Sequence, residues 1–141
     1  MAALFVDTSA WYPLAVTSHP EHVPLAEVLT ERVRAGARIV TTALVLAETH
    51  ALLARTHGRA AALRFTRTVM RPPNAIEYAT PERLERAIGD WLEAYPDLEL
   101  SLADALSLAV MAELGIAEAL ALDGRFAAAG FSVVGERTGG S

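Results

Sequence analysis

The chain has 141 residues, 52% of them hydrophobic and 21% charged, which is enough for one domain with a buried core. The absence of cysteine excludes disulfides and thiolate metal sites, and the net charge of −5 argues against a protein that coats nucleic acid generally. The apolar runs are broken well before the ~20 residues that a membrane span needs, and no basic leader precedes the first of them. We therefore expect a cytoplasmic protein.

Short apolar runs predict five strands, separated by segments with helical periodicity. In chain order the predicted strands span 4–6, 38–41, 74–78, 119–122 and 132–134. The predicted helices span 21–35, 43–56, 59–70, 82–94 and 102–114, with candidate short helices from residue 10 and over 124–129. Glycine and proline between these segments set their ends.

Strands that alternate with helices predict an α/β fold with a parallel sheet that is covered on both faces. We expect a single domain over residues 1–135 and a flexible tail over 136–141, which is rich in glycine. Sites in open α/β sheets form beyond the carboxyl ends of the strands. Asp7 and Asp123 each follow a predicted strand, so the topology directs both side chains to the same edge.

Four carboxylates lie in or against apolar segments, namely Asp7, Glu48, Asp104 and Asp123. An unpaired carboxylate that is held away from water is costly, so such groups are usually paired, protonated or bound to metal. The chain contains no lysine that could neutralise them. If the fold brings them together, a divalent cation is the natural counter-charge. A site made only of oxygen ligands favours Mg²⁺ or Mn²⁺ over Zn²⁺, and the four histidines do not form a competing ligand set.

Each carboxylate also has a structural interpretation. Asp7 and Asp123 are placed to cap the helices that follow them, and Asp104 lies three residues after Ser101 in a capping-box pattern. Glu48 shares a helix face with apolar residues, so we expect it to project toward the sheet, although a glutamate at the rim is the alternative. Ser9, with Thr8, is either a polar helper that orients Asp7 or a capping hydroxyl.

The segment between Glu48 and Glu77 has no acidic residue and carries five arginines. Three of them, Arg64, Arg67 and Arg71, are spaced to lie on one helix face. Such a basic stripe can bind a phosphate backbone on an otherwise acidic protein. The alternative is an ordinary solvated helix face.

Four motifs resemble those of the PIN-domain nucleases, and most closely the VapC-type toxins of bacterial toxin–antitoxin pairs. Each contains one of the four carboxylates, and together they run from one end of the chain to the other in the family's order. The motifs are Phe5-Val6-Asp7-Thr8-Ser9-Ala10, Thr42 to Glu48, Leu100-Ser101-Leu102-Ala103-Asp104-Ala105, and Ala121 to Phe126 followed by Gly130-Phe131.

The resemblance implies a three-layer α/β/α sandwich with a mostly parallel sheet and Mg²⁺- or Mn²⁺-dependent cleavage of RNA. It makes Asp7, Glu48, Asp104 and Asp123 the catalytic, metal-binding quartet, with Ser9 as an accessory polar residue. The expected partners are an RNA substrate, a cognate antitoxin and a second copy of the chain in a homodimer, with no membrane.

Two rival enzyme classes require residues that this chain does not contain. The motif of haloacid-dehalogenase-type phosphatases has a second aspartate at the position where this chain has Ser9. These enzymes also commonly use a lysine, and this chain has none. A P-loop NTPase requires a glycine-rich Gly-Lys-Ser/Thr segment that is missing. A PIN nuclease that is not a toxin, and a non-catalytic module for RNA binding or protein interaction, stay open as alternatives.

Overall fold

A computed structural model describes residues 2–135, so the tail predicted over 136–141 lies outside the described residues. Within this range five parallel strands form one sheet in the order β3-β2-β1-β4-β5. The strands are β1 (Ala3–Val6), β2 (Arg38–Thr42), β3 (Ala75–Glu77), β4 (Glu118–Leu120) and β5 (Ser132–Val134). All five predicted strands are present, with small shifts at their ends.

The helices agree with the predicted segments except in one place. They are α1 (Thr8–Ala15), α2 (His22–Arg34), α3 (Ala43–His57), α4 (Arg59–Met70), α5 (Pro81–Arg86), α6 (Leu102–Leu114) and α7 (Arg125–Ala128). The helix predicted over 82–94 is α-helical only as far as Arg86 and continues as a π-helical segment, Ala87–Glu93, before a 3₁₀ turn at Pro96–Leu98. Gly89 lies inside this segment and has a weak preference for the α-helix.

The sheet reverses its direction of growth at β1. The chain runs outward from β1 through β2 to β3 and then returns to place β4 and β5 on the other side of β1. Right-handed crossovers in opposite directions put helices on opposite faces, which gives the three-layer arrangement. Leu4, Phe5 and Val6 of the central strand are fully buried between these layers. The switch point between β1 and β4 is where such sheets form their sites.

Helix starts are concentrated at this edge of the sheet. Helix α1 begins directly after β1, and α3 begins directly after β2, where the Thr42 hydroxyl accepts a hydrogen bond from the amide of Val45. Helix α6 begins at a capping box formed by Ser101 and Asp104. The described helices include none that is long and apolar enough to cross a membrane.

Candidate active site

Asp7 is the most buried of the four carboxylates, with 4% of the residue exposed. It is the N-cap of α1, and its Oδ2 accepts hydrogen bonds from the amide of Ser9 at 3.1 Å and from the Ser9 hydroxyl at 2.8 Å. The pKa of Asp7 is raised from 3.8 to about 6, mainly by burial; the Ser9 hydrogen bonds oppose this rise, and the charges of Asp123 and Asp104 add to it.

Ser9 also connects the two central strands. Its Oγ accepts a hydrogen bond from the amide of Leu122 at 2.9 Å, while its hydroxyl proton is donated to Asp7. The amide of Asp7 in turn donates to the carbonyl of Leu120 at 3.1 Å. Ser9 therefore fixes the carboxylate of Asp7 relative to the loop that leads to Asp123.

Asp104 is held by the capping box of α6 and by an arginine. Its amide donates to the Ser101 hydroxyl at 3.0 Å, and its Oδ2 accepts from the Ser101 amide at 2.9 Å. The same oxygen accepts from Nη1 of Arg125 at 3.3 Å. The predicted capping box is present, and Asp104 also contributes to the electrostatic environment of Asp7 and Glu48.

The prediction that Glu48 points with the apolar face of its helix is wrong. The buried residues of α3 are Val45, Thr49 and Leu53, which are four residues apart, and Glu48 lies beside this stripe as an exposed residue. Its position is that of the rim alternative. Partial loss of water nevertheless raises the pKa of Glu48, the charge of Asp104 raises it further, and Arg125 lowers it.

Asp123 lies three residues beyond the end of β4 and is partly buried. Its Oδ1 accepts a hydrogen bond from the amide of Arg125 at 3.0 Å, which satisfies a donor at the start of α7. The N-cap of α7 is Gly124, without a side-chain capping bond, so the interpretation of Asp123 as the cap of this helix is wrong. The charge of Asp123 also acts on Asp7.

Asp7, Asp104 and Asp123 are linked at the switch point between β1 and β4 by hydrogen bonds through Ser9 and Arg125, and Glu48 lies near enough for the charges of Asp104 and Arg125 to act on it. Asp7 is coupled to Asp104 and Asp123, and Glu48 is coupled to Asp104. Their oxygen donors fit a hard divalent cation in chemical type. As placed, however, no three Asp, Glu, His or Cys side chains within residues 2–135 are gathered tightly enough to hold a metal ion.

Arg125 is the site residue that the sequence-based reasoning missed. Its guanidinium bonds Asp104 and lowers the pKa of Glu48, so it lies among the acids as a resident cation. Because the chain has no lysine, no positively charged residue was predicted within the acidic site. The signal was the spacing, because Arg125 follows Asp123 by two residues at the edge where the carboxylates meet.

The predicted arginine stripe is only partly helical. Arg64 and Arg67 are exposed on α4, while Phe65 and Val69 are buried on the opposite side, as the spacing predicted. Arg71 lies just past the end of the helix with extended backbone, so the prediction that it shares the helix face is wrong. None of the three arginines forms an ion pair with another residue of the described range.

Residues 4–132 match the PIN domain family, and the chain belongs to that family. PIN-domain nucleases hydrolyse RNA phosphodiester bonds and in general depend on divalent metal ions, so the chain is a nuclease of this class. The buried, coupled carboxylates at the carboxyl edge of its parallel sheet are consistent with that activity.

Within the family, the chain is similar to a toxin nuclease of Mycobacterium tuberculosis. It is 34% identical over 128 residues to the 23S rRNA-specific endonuclease VapC20 of strains CDC 1551 and H37Rv, covering 91% of this chain and 95% of each relative. The crystal structure of M. tuberculosis VapC20, described as a sarcin–ricin loop cleaving toxin, matches with a TM-score of 0.81 and 34% identity. That match covers 96% of this chain and all of the other. The VapC-type resemblance and the PIN-like α/β fold are confirmed.

Proposed function

We propose that this chain is a Mg²⁺- or Mn²⁺-dependent endoribonuclease that acts as the toxin of a toxin–antitoxin pair. The observation that carries the proposal is the convergence of the acids at the switch point of the sheet, where Ser9 bonds both Asp7 and the loop before Asp123, and Arg125 bonds both Asp123 and Asp104. Asp7 and Asp123 follow strands β1 and β4, Asp104 lies in the first turn of α6, and Glu48 comes from the second turn of α3. Four separate structural roles would not require them to share one edge.

The chain's own residues divide the work by their position. Asp7 and Asp104 are the most buried acids, and both are held by hydrogen bonds, so we assign them as the principal cation ligands. Glu48 and Asp123 are more exposed and are placed to orient water or to complete the ligand set. Ser9 holds Asp7 in place. Asp7 and Asp104 would hold the divalent cation, which would lower the pKa of a nucleophilic water and neutralise charge on the phosphoryl oxygens.

The proposal is tested with purified protein and two RNAs. One is a synthetic sarcin–ricin loop, the RNA structure that the related VapC20 toxin cleaves, and the other is an unstructured RNA of equal length. We expect strand cleavage with Mg²⁺ or Mn²⁺ and none with EDTA, because the acidic site needs a cation. Cleavage that persists in EDTA would contradict the metal dependence. Preference for the loop would assign the relative's target to this chain, and equal cleavage would assign a different specificity.

The exposed arginines provide a second expected result. Replacing Arg64, Arg67 and Arg71 together by glutamine should weaken RNA binding and flatten its salt dependence by about two units, since each phosphate contact on a single strand contributes about 0.7. Binding isotherms at several salt concentrations measure this. Replacement of Arg34, Arg38 and Arg55, which are exposed and form no ion pair with another residue of the described range, is the matched control, and an unchanged slope in the first variant would make the stripe a solvated face.

Two further parts of the proposal concern protein partners. An apolar groove of about 390 Å³ between α1, α2 and α4, lined in part by Trp11, Leu14 and Phe65, suits an apolar segment of a cognate antitoxin.

We also propose a homodimer, for which the exposed side chains of Ile88 and Leu102 offer apolar surface. We propose that the antitoxin complex and the homodimer form in the cytoplasm, where the protein would meet a ribosomal RNA substrate. Light scattering of the purified protein by itself tests the homodimer. Light scattering after the protein product of the adjacent gene is added tests the antitoxin complex.

A further inference from the structure

Arg125 has the geometry of a group that is held weakly and can move. Its Nη1 lies 3.3 Å from Oδ2 of Asp104, and 45% of its side chain is exposed against 10% for the carboxylate. A charge-assisted hydrogen bond is normally shorter, at about 2.7–2.9 Å, and an exposed ion pair contributes little to stability. One long contact therefore holds the guanidinium in the acidic cluster.

The backbone of Arg125, by contrast, is fixed. Its amide donates to Asp123, and the next residue, Phe126, is 1% exposed and packs against the ring of Phe5 at a centroid distance of 6.0 Å. The backbone of Arg125 is therefore held against the central strand, while nearly half of its side chain is exposed to water. Rotation of the side chain alone can thus move the guanidinium without any change in the fold.

Other arginines of the chain show how a purely structural ion pair differs. Arg83 donates through Nε and Nη2 to both oxygens of Glu113 at 3.2 and 2.9 Å and also pairs with Glu77 at 3.0 Å. Arg86 adds a bond to Glu113 at 2.9 Å. Arg83 is therefore held by several carboxylate contacts, and the single contact of Arg86 is shorter than that of Arg125.

We propose that Arg125 is a shared cation, which pairs with Asp104 in the metal-free protein and with the RNA phosphate during cleavage. The inference rests on the proposed function. Arg125 and the Ser101 amide both bond Oδ2 of Asp104, so a divalent cation held by Asp104, through either carboxylate oxygen, would neutralise the charge that attracts Arg125 and would repel the guanidinium. The substrate then brings anionic phosphate oxygens to the same place, and the planar fork of guanidinium donors suits two of them.

This arrangement predicts effects of opposite sign on metal and on RNA. Arg125→Gln removes a competitor for Asp104, so the RNA-free protein should bind Mn²⁺ about fivefold more tightly, which is the scale of one exposed ion pair. Titration calorimetry with Mn²⁺ alone measures this affinity. Arg86→Gln is the matched control, because it breaks an ion pair of α6 near the opposite end of that helix, and it should leave the Mn²⁺ affinity unchanged.

The same substitution should impair the reaction with RNA. At saturating Mn²⁺, Arg125→Gln should lower kcat/KM for the sarcin–ricin loop RNA by about 10- to 100-fold, since a hydrogen bond to a charged group is lost. The salt dependence of RNA binding should flatten by about 0.7 of a unit. Arg125→Lys keeps the charge but loses the fork, and it should recover part of the activity and the full salt slope.

The outcomes separate this inference from the proposed function. If the wild-type protein cleaves RNA and Arg125→Gln cleaves equally well, the shared-cation role is overturned and the nuclease stands. Loss of both Mn²⁺ and RNA binding in Arg125→Gln would mean a structural role and would also overturn it. If the wild type cleaves no RNA, the proposed function fails, and the Mn²⁺ titration still decides whether Arg125 competes for Asp104.

Discussion

Replacing Asp7 or Asp104 by asparagine is expected to reduce RNA cleavage by at least about 100-fold while the fold is kept. Groups that only support a metal ligand already cost 10- to 100-fold when they are removed, so loss of a ligand should cost more. Asparagine preserves the shape and can still accept the bonds that Asp7 receives from Ser9. For Asp104, the capping bond from the Ser101 amide can also be kept. Charge is lost and packing is not.

The measurement compares Mn²⁺-dependent cleavage with circular dichroism for each variant. Asp90→Asn is the matched control, because Asp90 is an exposed aspartate of the π-helical segment that lies outside the acidic cluster, and its activity should equal that of the wild type. A folded Asp7 or Asp104 variant with full activity would remove that residue from the site. A variant that fails to fold would instead assign the residue to the capping role that both now hold.

The fold was predictable because its signals are local. The strands are short runs bounded by glycine, proline or polar residues, and the strongest helix starts carry recognisable caps such as Ser101 with Asp104. The parallel arrangement then follows from the alternation of strands and helices, and the edge of the sheet follows from the topology. The sequence alone therefore places Asp7 and Asp123 at the same edge of the sheet.

What could not be predicted depends on tertiary geometry. Glu48 is adjacent in sequence to Thr49, so on α3 it lies beside the buried face formed by Val45 and Thr49 and not on it. Hydrophobic periodicity alone does not fix the orientation of the buried face to within one residue. The pairing of Arg125 with Asp104 joins residues 21 positions apart and depends on where α7 begins relative to α6. The link from Ser9 to Leu122 spans 113 positions and has no local signature at all.

Folding stability without metal is expected to fall as the pH rises from about 4 to 6. Burial raises the pKa of Asp7 from 3.8 to about 6 in the folded protein. Between these values the folded state binds more protons than the unfolded state, so each step up in pH favours unfolding. The difference corresponds to a loss on the order of 2–3 kcal/mol, complete above about pH 6. The raised pKa of Glu48 acts in the same direction, and the lowered pKa of Glu113 acts in the opposite one.

Asp7→Asn isolates the contribution of Asp7 from these other groups. Without metal, the variant should match the wild type near pH 4 and exceed it in stability at pH 7.5, since asparagine carries no charge to be desolvated. Urea unfolding at both pH values measures the difference. Equal gains at pH 4 and pH 7.5 would mean that the benefit comes from packing and that the ionisation of Asp7 costs nothing.

Divalent metal should reverse this pH dependence in the wild type and not in the variant. The cation binds deprotonated carboxylates of the folded site, so it stabilises by mass action where Asp7 is ionised. At a Mn²⁺ concentration 100 times the Kd, the gain is about 2.7 kcal/mol. Thermal melts with Mn²⁺ should therefore show a larger rise in Tm at pH 7.5 than at pH 5, and Asp7→Asn should lose most of that rise. A shift that is larger in acid, or equal in Asp7→Asn, would contradict a metal site built on Asp7. The most buried acid of the cluster would then be a cap that the fold tolerates, and the site would have to rest on Glu48, Asp104 and Asp123.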